Sequence, residues 1–290
     1  MPTVMSEPGT DGLGEVVGVL RDWQYEGAPM QLHPRDLGWF WREGAEATAA
    51  AVRTWSRNGR VLAVGLLDGP GLLRLTIAPE ARQDGELARQ LAEDVTVPER
   101  GVLPAEGKRA IESPMGARFR DLLAEHGWDI DEPWTPLRRD LSEPVPDPGV
   151  RTEVVSGPEG TQARTAVHRS AFGSTMFTEE RWRAMASGPP YADARCLVAY
   201  DGRGDAVAAV TVWSAGPDRP GLLEPMGVHR EHRGRGYGRA ITVAAAAALQ
   251  ELGSSSALVC TPSANTGAVA TYESAGFRQL PAMYDQFREA

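Results

Sequence analysis

Hydrophobic residues in the second half of the chain recur with two different periods. Alternation of apolar and polar positions predicts strands at 150–155, 195–200, 206–213, 222–228 and 257–260. Spacings of three and four predict helices at 159–172, 178–186, from the turn at 238 to about 252, and from about 265 to 275. Thr178 suits the N-cap of the second of these helices, and Gly276 suits the end of the last. Extended structure is expected from 277 to 287.

The first half carries a weaker copy of this order. Strands are predicted at 52–57 and 60–67 around Asn58-Gly59, a pair that favours a type I′ hairpin. The further predicted elements are a strand at 72–78, a helix at 85–93, and segments at 108–112 and 118–124 that continue the parallel. A shift of 151 residues sets Arg82 on Arg233 and Gly85 on Gly236. This correspondence predicts an internal duplication.

A boundary between the two halves is predicted where prolines concentrate. Residues 141–149 read Leu-Ser-Glu-Pro-Val-Pro-Asp-Pro-Gly, and three prolines with one glycine disfavour both helix and sheet. The sequence therefore predicts a first domain at 1–142, a linker at 143–149 and a second domain at 150–290.

Composition and charge exclude several classes of protein. A hydrophobic content of 42% excludes a disordered chain, and a net charge of -9 argues against a nucleic-acid partner. Two cysteines provide neither a disulfide framework nor a cysteine-rich zinc site, and we expect no metal. The first residues lack the pattern of a signal peptide, and no apolar run approaches the roughly 20 residues that span a bilayer. A cytoplasmic protein without a membrane partner is expected.

The segment from 228 to 238 has the features of an anion-binding turn. It follows a strand, precedes a helix and carries the glycines Gly234, Gly236 and Gly238 among arginines. Glycine lets a ligand approach the main chain closely, and the first amides of a helix lack internal partners and lie at its positive dipole end. Such a turn can bind a pyrophosphate. It lacks the Gly-Lys-Ser/Thr ending of a P-loop.

The turn resembles that of the Gcn5-related N-acetyltransferase (GNAT) family. The family pattern Gln/Arg-x-x-Gly-x-Gly/Ala reads Arg233-Gly-Arg-Gly-Tyr-Gly238 here. A second pattern, Asn-x-x-Ala-x-x-x-Tyr-Glu-x-x-Gly-Phe, is matched from Asn265 to Phe277. The resemblance covers the whole second half. It implies an α+β fold with two GNAT-like domains, each a mostly antiparallel twisted sheet flanked by helices.

The resemblance further implies that acetyl-CoA binds the second half. The turn would bind its pyrophosphate, main-chain groups near Val228 would bind the pantetheine and polarise the thioester, and Asn265 would hydrogen-bond the pantetheine arm. The residues expected to contact the coenzyme are Met226, Gly227, Val228, Arg233, Gly234, Arg235, Gly236, Tyr237, Gly238, Arg239 and Asn265.

Two residues are candidates for the chemistry. Tyr272 stands where many family members place the acid that protonates the departing thiolate, although a core aromatic is the alternative. Glu224 lies four residues before Val228, so both side chains fall on one face of the strand, and it is the best candidate for a general base. A solvated or ion-paired strand-end glutamate is equally compatible with the sequence, and deprotonation through water would make a dedicated base unnecessary.

Other chemical residues have ordinary explanations. His229 and His232 lack a third ligand and are expected to be exposed in the turn, His168 is expected on a helix surface, and Cys260 is expected to be buried. Five residues suit either the acceptor site or the core: Met226, Trp182, Met185, Tyr191 and Phe177.

By the same criteria, the first half is expected to be a degenerate copy that has lost coenzyme binding. Its copy of the turn carries Asp84 and Glu86 beside Gly85, and Leu87 replaces Gly238. Two carboxylates would repel a pyrophosphate by about 1 kcal/mol or more per close pair.

The sequence therefore predicts an acetyltransferase that moves an acetyl group from acetyl-CoA to a primary amine. The resemblance implies direct attack of the amine on the thioester in a ternary complex, and the acidic balance favours a small cationic acceptor. The alternative is an acyl-CoA-binding sensor or regulatory module without turnover. A monomer and a homodimer both remain open.

Overall fold

The structure is a computed structural model, and it describes residues 2–289. Its helices are α1 (Leu13–Asp22), α2 (Pro34–Phe40), α3 (Ala45–Ala51), α4 (Gly85–Thr96), α5 (Arg118–Glu125), α6 (Gly157–Phe172), α7 (Glu179–Ser187), α8 (Tyr237–Glu251) and α9 (Thr266–Ser274). Its strands are β1 (Val4–Ser6), β2 (Val52–Arg57), β3 (Arg60–Leu67), β4 (Leu72–Ile77), β5 (Arg109–Glu112), β6 (Asp129–Asp140), β7 (Arg151–Val154), β8 (Ala194–Tyr200), β9 (Ala206–Trp213), β10 (Gly221–Val228), β11 (Ser256–Pro262), β12 (Arg278–Gln279) and β13 (Met283–Arg288).

All thirteen strands join one sheet that runs through both halves. The order is β1-β2-β3-β4-β5-β13-β6-β11-β10-β9-β8-β7, with β12 paired to β6. Most neighbours are antiparallel, and the pairs β4–β5 and β10–β11 are parallel. This mixed, mostly antiparallel sheet with flanking helices confirms the predicted fold class. The two halves are paired within one chain, a question that the sequence leaves open.

The two halves exchange their last strands at the middle of the sheet. Strand β6, which follows the helices of the first half, pairs with β11 of the second half over seven residues, from Ser256↔Asp140 to Pro262↔Trp134. Strand β13, near the end of the second half, pairs with β5 of the first half and with the other edge of β6. Each half therefore completes the sheet of the other.

The local signals place the regular elements as the sequence predicts. Asn58 and Gly59 have positive φ angles of 54° and 75°, as a type I′ turn requires. The hydroxyl of Thr178 accepts the Arg181 amide and so caps α7, and Gly276 has a φ of 86° after α9. Five elements were not predicted at all: β1, α1, α2, α3 and β6.

Short helix α2 of the first half packs directly on β9 of the second half. A Cβ atom on Gly38 would lie 2.3 Å from Cζ3 of Trp213, so only glycine lets the helix approach the indole this closely. In the same way, Gly188 approaches the ring of Trp41, where a Cβ would lie 2.6 Å from Cγ. Trp213 is fully buried. These contacts fix α2 against the sheet of the second half.

Candidate functional site

The site lies where the neighbouring strands β10 and β11 separate. Their parallel pairing covers Gly221↔Ala257 and Leu222↔Leu258. Beyond Leu222, β10 continues to pair with β9 on its other edge as far as Val228↔Ala208, with a register shift between Leu223 and Met226. The strands open onto a cavity of about 970 Å³ that both of them line. The β11-facing main-chain edge of β10 thereby becomes available to a ligand in the cavity.

The N-terminus of α8 opens into the same cavity without a side-chain cap. Gly236 occupies the N-cap position and makes no side-chain cap bond, and its φ of 84° lies in the left-handed region that favours glycine. Gly234 has a φ of 74° for the same turn. The first amides of α8 thus lack internal partners and lie at the positive end of the helix dipole. This arrangement suits a pyrophosphate.

The equivalent turn of the first half is closed by its own side chain. The Asp84 carboxylate accepts the amides of Glu86 and Leu87, each at 2.9 Å, and so caps α4. Arg57 donates to the same carboxylate at 2.7 Å. These bonds hold the pKa of Asp84 below its usual value, with the Arg57 hydrogen bond as the largest cause. A carboxylate of the protein therefore occupies the position in which α8 could bind an external anion.

The structure brings together most of the residues predicted to bind the coenzyme. Ten of them line the cavity: Met226, Gly227, Val228, Arg233, Gly234, Gly236, Tyr237, Gly238, Arg239 and Asn265. Arg235 is exposed and lies outside the lining. Arg233 and Arg239 are anchored at the rim, because they donate to the carbonyl oxygens of Ala171 and Ser274 at 2.7 Å and 3.0 Å.

The glycines of the site also allow close packing around it. A Cβ on Gly227 would lie 2.6 Å from Cβ of Ala171, so α6 could not approach β10 as it does. A Cβ on Gly238 would lie 3.0 Å from Cγ2 of Thr271 and 3.5 Å from Cγ2 of Val228. Thr271 and Val228 both line the cavity, so a side chain at position 238 would occupy its wall.

Asn265 lies at the start of α9. Its Oδ1 accepts the Ala268 amide at 3.2 Å and caps the helix. The capping bond fixes the oxygen and leaves the amide group of the side chain able to donate to a ligand in the cavity.

Tyr272 is packed in the core and also reaches the cavity. Its ring is buried, at 6% exposure, and packs with Phe277, while the residue also lines the cavity. Burial raises the pKa of the Tyr272 hydroxyl, and the charge of Glu224 raises it further. A phenol with a raised pKa stays protonated, as a proton donor must.

Glu224 lines the same cavity, and its side chain is 41% exposed. Its carboxylate is ion-paired with Arg35, which comes from α2 of the first half. Its main-chain carbonyl accepts the indole N–H of Trp213 at 2.8 Å. The ion-paired alternative is therefore present in the structure, and the residue still faces the cavity that Tyr272 lines.

Two further residues of the site were missed from the sequence. Phe172 of α6 lines the cavity, and Arg35 reaches Glu224 from α2. Trp134 of β6 also lines the cavity, and as one of six tryptophans in the first half it suits either packing or the acceptor site from the sequence. The only local signal for α2 is its N-terminus. His33 is the N-cap, Pro34 is the first helical residue, and Asp36 is the third. Nothing local in the sequence points from Arg35 to a glutamate 189 positions away.

Several predictions about other residues need correction. His168 is not on a helix surface: it is 8% exposed and packs against Trp39, Phe172 and Phe177. Cys260 is half-buried and lines the cavity. His229 and His232 are half-buried, with ring centroids 5.4 Å apart.

The five residues that suited either the acceptor site or the core differ in their surroundings. Met226 lines the cavity and also packs against the core of the second half. The other four belong to the packed interior around Trp213, Cys196 and the aromatic cluster of α6: Trp182, Met185, Tyr191 and Phe177.

Within residues 2–289, no three or more His, Cys, Asp or Glu side chains are grouped so that they could hold a metal ion. Over the same residues, every helix is too short or too polar to cross a bilayer.

Comparison with known proteins identifies relatives of both halves. The model of the acetyltransferase (GNAT) family matches residues 161–277. A mycothiol acetyltransferase of Thermobispora bispora is 30% identical over 219 residues, which are 70% of this chain and 71% of that protein. One from Geodermatophilus obscurus is 29% identical over 181 residues, or 54% of this chain, and the match spans only 56% of that relative.

The fold has a tandem counterpart among solved structures. A tandem GNAT protein from the clavulanic acid biosynthesis pathway superposes with a TM-score of 0.65, over 99% of this chain and 98% of that one, at 16% identity. This likeness supports the predicted use of one fold twice. The relatives confirm the predicted family and its enzyme class, the acyl-CoA-dependent N-acetyltransferases. The chain belongs to the Gcn5-related N-acetyltransferase family.

Proposed function

We propose that the second half transfers an acetyl group from acetyl-CoA to a primary amine of a small cationic molecule. The observation that carries the proposal is one cavity with two chemically different regions. The uncapped start of α8 provides amide donors, and Tyr272 and Glu224 line the same space. A volume of about 970 Å³ is large enough for a coenzyme arm and an acceptor together.

The residues present fit the coenzyme. The amides at the start of α8 would bind its pyrophosphate, with Arg233 and Arg239 adding positive charge at the rim. The main chain of β10 from Met226 to Val228 would bind the pantetheine and polarise the thioester carbonyl, since that edge is not paired with β11. Asn265 would donate its side-chain amide to the same arm.

The reaction is a direct displacement. The neutral amine nitrogen attacks the thioester carbonyl carbon, forming a C–N bond, and the C–S bond then breaks. Tyr272 gives its proton to the departing thiolate. The proton lost by the amine leaves through Glu224 or through water, and no covalent enzyme intermediate is formed.

The net charge of the chain supports a cationic substrate. Burial raises the pKa of the Cys260 thiol, and the carboxylates of Glu112, Glu224 and Asp285 raise it further. Two of these carboxylates are ion-paired, Glu224 with Arg35 and Glu112 with Arg74. The attraction of an ammonium group therefore comes from the net charge of -9 at longer range.

We also propose the division of labour between the halves. The domains are 1–142, a linker at 143–149 and the catalytic domain 150–290. Because Asp84 already occupies the amides at the start of α4, the first domain would not bind coenzyme. The names of the relatives support acetyl transfer as the activity of the second domain.

The test measures coenzyme binding and turnover in the same protein. Calorimetry gives the Kd for acetyl-CoA, and thiol release with a broad panel of amines gives the activity. We expect the substitution Gly238→Asp to abolish binding, because it places a carboxylate between Val228 and Thr271 at the start of α8. The matched control is Gly85→Asp, at the start of α4, which should leave Kd unchanged.

The outcomes separate the alternatives. A protein that binds acetyl-CoA but releases no thiol with any amine is a sensor, and the proposed transfer would be wrong. Loss of binding with Gly85→Asp rather than Gly238→Asp would put the coenzyme in the first half. Activity with neutral or anionic acceptors alone would overturn the cationic class.

A further inference from the structure

Glu224 is held at both its side chain and its main chain by contacts that lead to α2 of the first half. Its carboxylate pairs with Arg35, which belongs to α2. Its carbonyl oxygen accepts the indole N–H of Trp213, and the same indole packs on Gly38 of α2. The first half, whose own turn is closed by Asp84, therefore contacts Glu224, one of the two candidate catalytic residues of the second half.

Arg35 is itself rigidly placed. Its side chain is 6% exposed, and its Nη1 donates to Asp36 at 2.6 Å. Asp36 is also buried and accepts the His33 amide at 2.7 Å, which closes the capping box of α2. The charges of Glu224 and Asp36 raise the pKa of Arg35 against the effect of burial, which is the largest single influence and lowers it. The guanidinium is thus a fixed cation.

The two partners of Arg35 differ in their access to a ligand. Asp36 is buried, whereas Glu224 is half exposed on the wall of the cavity. A carboxylate can accept about four hydrogen bonds, so an ion pair with Arg35 leaves Glu224 able to accept from an acceptor amine. Arg35 restricts the rotamers of Glu224, and a restricted carboxylate loses less entropy when it binds a substrate.

We propose that Arg35 is a positioning residue for acetyl transfer, and that the first half completes the acceptor side of the site through it. Arg35 does not touch the reacting atoms. It orients the Glu224 carboxylate toward the amine, while coenzyme binding depends on the second half alone. The inference rests on the proposed function and adds a role for the first half to it.

The test is a double-mutant cycle in a background that folds. Removal of Arg35 alone would leave the buried Asp36 carboxylate without its ion-pair partner, which is strongly destabilising. All four proteins therefore carry Asp36→Asn, whose side-chain oxygen still accepts the His33 amide. The cycle compares this background with Arg35→Met, with Glu224→Gln and with both. The probe is the most active amine of the panel, and kcat, KM and the Kd for acetyl-CoA are measured.

We expect Arg35→Met to lower kcat/KM for the amine by about 10- to 100-fold when Glu224 is present, the range that misplacement by about 1 Å produces. In the Glu224→Gln background the same substitution should change kcat/KM less than about twofold, because Arg35 acts through Glu224. The Kd for acetyl-CoA should stay within about twofold throughout. Arg35→Lys in the same Asp36→Asn background should retain more activity than Arg35→Met.

A matched control is the pair Arg219–Asp22, which also joins the two halves, at 3.0 Å, but lies outside the cavity lining. Arg219→Met should leave kcat/KM unchanged. Additive effects of Arg35→Met and Glu224→Gln in an active enzyme would overturn this inference alone. A native protein without turnover on any amine would overturn the proposed function and the inference together.

Discussion

The contact between Gly38 and Trp213 makes a prediction for a residue that touches neither substrate. A Gly38→Ala side chain would lie 2.3 Å from Cζ3 of Trp213 and 2.8 Å from Cη2. Ordinary contact begins at 3.4 Å, so the indole must recede by about 1 Å. Because Trp213 is fully buried, that movement must displace its neighbours.

The magnitude follows from three opposing contributions. Overpacking of a dense interior costs about 1–3 kcal/mol, and a clash of this depth belongs at the upper end. Weakening the 2.8 Å bond from the indole to the Glu224 carbonyl costs about 1 kcal/mol more. Replacing glycine by alanine within a helix returns about 1 kcal/mol. We expect a net loss of about 3 kcal/mol in the free energy of unfolding.

Urea unfolding measures this loss, and amine acetylation measures the effect on the site. We expect kcat/KM for the amine to fall by about tenfold, because the main chain of Glu224 moves with the indole, while the Kd for acetyl-CoA stays unchanged. The matched control is Gly18→Ala in α1, where an added Cβ meets no atom within 4 Å. That variant should gain about 0.5–1 kcal/mol with no change in activity.

One result would refute the reasoning. If Gly38→Ala matched the gain in stability of Gly18→Ala and kept full activity, then α2 would not be seated on Trp213 as described. The first half would then no longer be linked to the main chain of Glu224 through Gly38 and Trp213, and only the Arg35 ion pair would remain.

Three further predictions concern single side chains. Tyr272→Phe should lower kcat by about 100-fold without changing the stability or the Kd for acetyl-CoA, and unchanged steady-state kinetics would exclude the phenol as the acid. Asp84→Ala should cost about 1 kcal/mol in thermal unfolding through loss of the α4 cap, with coenzyme affinity unchanged; a gain in stability would contradict the capping role. Burial lowers the pKa of His168 from 6.5 to about 3 in the folded state, so the unfolded chain binds more protons and the free energy of unfolding falls as the pH drops through that window. His168→Phe should flatten this slope in urea titrations across the window, and an unaltered slope would assign the acid sensitivity to other groups.

The sequence predicts well whatever is encoded locally. The turn from Arg233 to Gly238 could be predicted because its signals lie in neighbouring residues: glycines that adopt positive φ, and a glycine at the N-cap, which has no side chain to cap the helix. The hairpin at Asn58-Gly59 was predicted for the same reason. Asp84 was recognised as unfavourable for a pyrophosphate, but its actual role as a cap depends on the side-chain rotamer, which the sequence does not specify.

Pairings between distant segments could not be predicted. Strand β13 lies in a segment that the sequence predicts to be extended, whereas β6 was not predicted. Neither segment indicates locally which half it will join. Helix α2 has seven residues, too few for a periodicity to be visible. Arg35 therefore remained unassigned, and the burial of His168 could not be predicted, because Trp39 of α2 covers it from the other half.

The exchange of last strands also constrains how the chain is made. Strand β13 lies between β5 and β6, so the sheet of the first half stays open until Met283–Arg288 has left the ribosome. Many N-terminal domains fold while the rest of the chain is still being synthesised, but the first half of this protein cannot complete its sheet at that stage. The long sequence separation of β5 and β13 favours slow folding, and during translation β5 and β6 present unpaired edges that could join the wrong partner. A chain truncated before residue 283 therefore leaves the sheet of the first half incomplete, although that half was synthesised first.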